Sequence, residues 1–165
     1  METILPWFYW LFPVAFALHN AEEAVFLPLW SQTAGTYHKP VGRFEFRFAV
    51  ATLTTLGFAV TALFFLRPRG VFFCYFFFVF NLGMLINVVY PHIVATVAMR
   101  RYAPGLATGL ALVLPVTLLI LVHGYTHRLF ELRKLFFYAV PIATGVVGSI
   151  PLLFKLGRRL EGRLA

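Results

Sequence analysis

His19-Asn20-Ala21-Glu22-Glu23 places an imidazole and two carboxylates between the apolar runs Trp7–Leu18 and Ala24–Leu29. On a helix, His19, Glu22 and Glu23 stand at i, i+3 and i+4 and share one face, one turn apart. Neutral imidazole and carboxylate are the ligand types of Zn²⁺ and other borderline divalent cations. Without a cation the same trio makes a proton relay, because two adjacent carboxylates in low dielectric do not both stay ionised. Either use accounts for charge in an apolar run, where an ionised side chain costs roughly 2.5–3.5 kcal/mol near the bilayer centre. The alternative without chemistry sets this polar stretch at the end of a short first helix, solvated by headgroups.

Partners come from Asn81, Asn87 and His92 in a later apolar segment. Pro91 lacks an N–H and clashes with the carbonyl of Asn87, so a kink falls there. The backbone groups it frees must be satisfied inside protein or in a water-filled cavity. Asn87 and His92 are five residues apart, roughly 140° around an ideal helix, so only such a distortion lets them share a face. Without function, the asparagines glue helices and His92 approaches the headgroups. Arg101, in Arg101-Tyr-Ala-Pro104-Gly105, opens on the same side. It is suited to neutralising a carboxylate or holding a substrate phosphate or carboxylate, or simply to topology sorting. The deciding distance is from the carboxylates of Glu22 and Glu23 to the ring nitrogens of His92. Below about 4.5 Å a shared cation or proton fits, since Zn–N and Zn–O bonds run near 2.0–2.2 Å.

His123 and His127 have chelating i, i+4 spacing, but they lie at the far end of their segment, facing the opposite leaflet. They read as an interfacial pair and are left unassigned. His38 falls in a loop and takes no role.

The elements that must position these residues follow from composition. Of 165 residues 61% are hydrophobic and only 12% charged, with a mean hydropathy of +0.83, against about 25% charged in a soluble domain. The fold class is therefore an all-α membrane protein, a bundle of about five transmembrane helices in one domain spanning 1–165. Apolar stretches of spanning length run over about 4–29, 46–66, 71–99, 105–127 and 135–156. Short links make neighbouring helices antiparallel. The residues Gly105 to Gly109, with Gly145 and Gly148, mark close helix contacts. The first segment reads as an uncleaved helix, since no Lys or Arg precedes Lys39. The 14 Lys and Arg fall almost entirely between apolar segments, which argues against nucleic-acid binding. Nine of them lie on one side and five on the other, favouring an outside N-terminus and a cytoplasmic C-terminus. Cys74 is the only cysteine, which rules out an intrachain disulfide and a thiolate cage.

His19-x-x-Glu22-Glu23, then Asn87-x-x-x-x-His92, then Arg101-x-x-Pro104-Gly105 resemble, in residues and in order, the HXXEE domain family of small integral membrane proteins. The resemblance covers nearly the whole chain. It implies a multi-pass membrane protein with a suspected active or metal site, and no particular reaction.

The leading expectation is a metal-dependent intramembrane hydrolase acting on a lipid or another membrane-embedded substrate. A zinc-like divalent cation would be held by His19, His92 and one of Glu22 and Glu23, with the other glutamate as general base. Asn87 would orient a ligand and Arg101 would neutralise the substrate head. The alternatives are a proton-coupled small-solute transporter, for which a homo-oligomer would offset the small helix count, and a structural membrane subunit.

Overall fold

The computed structural model describes residues 7–67 and 70–164. The start of the first expected helix, and Pro68 and Arg69 of its second link, lie outside them. After a tight turn at Trp7–Trp10 the chain forms α1 (Leu11–Ser31), α2 (Arg43–Leu66), α3 (Val71–Asn87), α4 (Val94–Met99), α5 (Leu106–Thr108), α6 (Leu114–Thr126) and α7 (Leu132–Leu164). There is no strand among the described residues. α3 and α4 are halves of one apolar segment, Val71–Met99, and α5 and α6 of another, Leu106–Thr126. Together with Arg43–Leu66 and Leu132–Arg163, four segments are long and apolar enough to cross a bilayer. α1 has the length, but His19 to Glu23 interrupt its apolar run. The molecule is an all-α, multi-pass membrane protein built as a five-helix bundle.

One half of the bundle is an aromatic core. Tyr9 of the opening turn and Phe12 and Phe16 of α1 interlock with Phe64 of α2 and with Phe77, Phe78 and Phe80 of α3, all buried. Phe64 and Phe77 stack with centroids 4.6 Å apart, while Phe12 meets Phe77 and Phe16 meets Phe80 edge-on. Such pairs add about 0.5–1.5 kcal/mol beyond area burial, and in lipid, where tails are as apolar as the core, specific packing is what orders helices. α2 and α7 are pinned where Gly157 lies against the Glu45 backbone: a Cβ there would stand 2.8 Å from the Glu45 Cα. Arg158 pairs with Glu45 at the same crossing. The Glu45 carboxylate also accepts the Gly42 N–H at 2.6 Å and so starts α2.

Two interruptions open the opposite half of the bundle. Between α3 and α4, Tyr90 takes an extended backbone (φ −126°, ψ 117°), as the residue before a proline is pressed to do. Arg100 then turns left-handed (φ 50°), and Gly105 (φ 94°) starts α5. The small residues divide differently from expectation. Gly109 does bring the end of α5 close to Val88, 3.4 Å from a hypothetical Cβ, but Gly145 and Gly148 face open space. As a correction, those two make no helix contact among the described residues, because α7 turns that face outward.

Candidate functional site

His19 sits mid-α1 and His92 just past the Tyr90 interruption, and both are fully buried. Their rings meet edge-to-face with centroids 4.9 Å apart. Glu23, one turn along α1 from His19, turns its Oε1 to the same point, 3.4 Å from His92 Nε2 and 3.9 Å from His19 Nε2. The ligand atoms of His19, Glu23 and His92 all lie within 4.8 Å of one another. Asn87 completes the wall: its amide nitrogen is 3.1 Å from His92 Nε2 and 3.4 Å from His19 Nε2. The extended Tyr90 is what places Asn87 and His92 on one side of a broken helix.

Glu22 goes elsewhere. Its Oε2 accepts the Thr108 backbone N–H at 2.9 Å and the Thr108 hydroxyl at 2.6 Å; its Oε1 accepts the Gly105 N–H at 2.7 Å and the Tyr102 hydroxyl. The free amides at the start of α5 are natural anion ligands, and the Glu22 carboxylate caps them from another helix. Burial raises the Tyr102 phenol above its ordinary pKa, and its hydrogen bond to Glu22 adds to the effect. The sequence spacing alone does not distinguish the two glutamates; the structure brings Glu23 to the imidazoles and holds Glu22 at the helix start.

Thr108 links the two arrangements. Its one hydroxyl proton is given to Glu22, so its oxygen is left to accept from His19 Nδ1, 3.2 Å away. That fixes the proton of His19 on Nδ1 and leaves the Nε2 lone pair aimed at Glu23, His92 and the Asn87 amide. The Asn87 amide, a donor, selects the same tautomer on both rings. Three acceptor atoms thus converge, and among the described residues no Lys or Arg pairs with either glutamate.

Gly105 closes the site from above. A Cβ on it would stand 2.5 Å from His92 Cε1 and 2.9 Å from His19 Cε1. With its positive φ, the position accepts only glycine. Thr108 and Gly105 belong to the stretch read from sequence as simple packing. A glycine followed three residues later by threonine at the mouth of an apolar segment is the signal that points to a capped helix start.

Other sequence candidates lie outside the group. Arg101 donates to Thr33 Oγ1 at 2.9 Å and to the Trp30 carbonyl at 3.3 Å and stacks over the Trp30 ring. It lines a groove of about 530 Å³ with Tyr102, Phe26 and Leu29. Asn81 donates to the Phe77 carbonyl of its own helix. At the other end of the bundle His123 Nδ1 meets the Tyr9 hydroxyl at 2.7 Å and its ring stacks on His127 at 3.9 Å. Asn20, passed over in the sequence, ties α1 to α2 through Thr54 Oγ1 at 2.7 Å.

Fold and site together define an all-α multi-pass membrane protein with a buried group of two histidines and a glutamate that could hold a metal ion. A family model described as a protein of unknown function with an HXXEE motif matches residues 10–120. The "Uncharacterized protein YrkK" of Bacillus subtilis (strain 168) is 38% identical over 150 residues, covering 91% of this chain and 95% of that one. The chain belongs to the HXXEE family. No solved structure matches it.

Proposed function

We propose that the protein is a metal-dependent intramembrane hydrolase of a lipid or other membrane-embedded substrate, with His19, His92 and Glu23 as the ligands of a zinc-like divalent cation. The observation that carries this reading is the convergence of three electron pairs, His19 Nε2, His92 Nε2 and Glu23 Oε1, with no Lys or Arg among the described residues paired with them. Lone pairs that face one another repel unless a cation or proton lies between them. The donor chemistry fits: two imidazoles and one carboxylate form the three-ligand set typical of catalytic rather than structural zinc. A cation held there would supply Lewis acidity toward a carbonyl or phosphoryl oxygen.

The remaining roles follow from the hydrogen bonds. Glu22, with both oxygens engaged, positions His19 through Thr108. Glu23, which accepts no hydrogen bond among the described residues, is the carboxylate left to the cation. Asn87, whose amide spans both imidazoles, is placed to donate to a substrate carbonyl, and Arg101 waits at the groove rim for an anionic head. The Lys and Arg asymmetry supports an outside N-terminus and a cytoplasmic C-terminus; reporter fusions at the two ends, active on the same side, would refute this.

Protein purified without chelator should carry a stoichiometric divalent ion, lost in His19→Ala. An ion-free wild type sinks the metal reading. The Tyr9–His123 pair at the far end favours a second reading, a proton-coupled carrier with polar groups in both leaflets. The bundle also buries Thr61, Asn81 and Thr117. Proteoliposome flux that survives metal removal would favour the carrier.

A further inference from the structure

A cavity of about 190 Å³ lies between α1, α2, α3 and α7 and has Asn87 in its wall. Phe16, Val79 and Val146 form its apolar sides, and Gly83 and Val147 its lip. Both lip residues are exposed on the outer face of the bundle, the face that meets lipid in a membrane. A Cβ on Gly83 would meet nothing within 4 Å, so a side chain there would project into the opening. The cavity is a lateral port that runs from the bilayer to the amide touching both imidazoles.

Its size and its polar end restrict the occupant. Pockets that enclose a whole drug-sized ligand run about 300–1,000 Å³, so this one holds a single chain segment with the remainder left in the bilayer. Moving an aliphatic chain from lipid into an apolar cavity yields little, because the two environments are equally apolar. Selection must therefore come from the inner end. Two carboxamides stand there, Asn20 and Asn87. The Asn20 amide nitrogen is committed to Thr54 and the Val50 carbonyl, and that of Asn87 faces the imidazoles. Among the described residues nothing donates to either carbonyl oxygen, so the end of the cavity offers acceptors.

We infer that this cavity binds the chain of a single-chain amphiphile whose head carries a hydroxyl or amide donor, such as a monoacylglycerol or an N-acyl amide. This rests on the His19–Glu23–His92 group being the reactive site, and it names the substrate class that reaches it.

The experiment uses full-length protein in phosphatidylcholine nanodiscs and a monoacylglycerol with a photoactivatable diazirine in its chain, with crosslinked peptides mapped by mass spectrometry. Labelling is expected on the α3 and α7 peptides around Gly83 and Val147, and should be competed by plain monoacylglycerol. Gly83→Leu and Val147→Trp should each cut labelling about tenfold, with melting and metal content as in wild type. Val147, at the outer lip, keeps the test alive if Gly83→Leu misfolds. Labels spread evenly over the outward helices, equal labelling by a two-chain phosphatidylcholine probe, or full labelling in a folded lip variant would each overturn the proposal. His19→Ala should lose metal yet keep the label. Metal absent with the label in place would refute the metal reading alone. Diffuse labelling with metal bound would refute the chain site alone.

Discussion

Two adjacent glutamates differ here in what surrounds them, and that difference predicts opposite mutant behaviour. Glu22→Ala leaves the Gly105 and Thr108 amides and the Thr108 hydroxyl without their acceptor, at about 1–3 kcal/mol for each buried donor. A clear drop in the melting temperature of the detergent-solubilised protein is expected. Glu23→Ala removes an acceptor that no donor uses and relieves an unbalanced charge, so melting should hold or rise while metal is lost. Equal destabilisation by the two would contradict this division of roles. Thr108→Val keeps the backbone N–H to Glu22 but takes away the acceptor for His19 Nδ1. Removing such an outer partner of a ligating histidine typically weakens metal affinity about 10–100-fold, to be read by competition against a chromophoric chelator.

Among the helices, the interruption at Tyr90-Pro91 is the feature that builds the site. A proline inside a helix costs about 3 kcal/mol or more, and this one is retained where it lets Asn87 and His92 reach the same point, 3.1 Å apart. Pro91→Ala lets the segment continue as a regular helix and swings the two side chains roughly 140° apart. Thermal stability should be maintained or improved and metal binding lost. A variant that binds metal like wild type would show that the interruption does not depend on the proline. The early start of α5, capped by Glu22 from α1, is the second such device. It couples the depth of α6 to the position of His19.

For the bundle as a whole, α7 is the least enclosed helix, and its crossing with α2 depends on Gly157 and Glu45. The exposed position of Arg158 limits the ion pair to under about 1 kcal/mol, so Glu45→Gln should shift melting only slightly. Gly157→Leu drives a side chain into the Glu45 backbone and should cost about 1–3 kcal/mol, more than the charge change. The reverse order would mean that electrostatics rather than close packing holds α7. The cavity between α3 and α7 would then have a looser wall.

Much of this was legible in the residues. Apolar runs and a depletion of charge dictate a multi-pass helical bundle, since an unpaired backbone is not tolerated in lipid. An imidazole and two carboxylates in one run demand partners, and Asn87 and His92 beside a proline were identifiable as the ones available. Periodicity could take the argument no further, because His19, Glu22 and Glu23 share a face but Glu22 and Glu23 flank His19 on opposite sides of it. Which of them meets a histidine and which meets a helix start depends on the packing of α1 against segments up to 86 residues away. Tertiary structure alone made that choice, by bringing the free amides of α5 to one carboxylate and leaving the other facing two imidazole nitrogens.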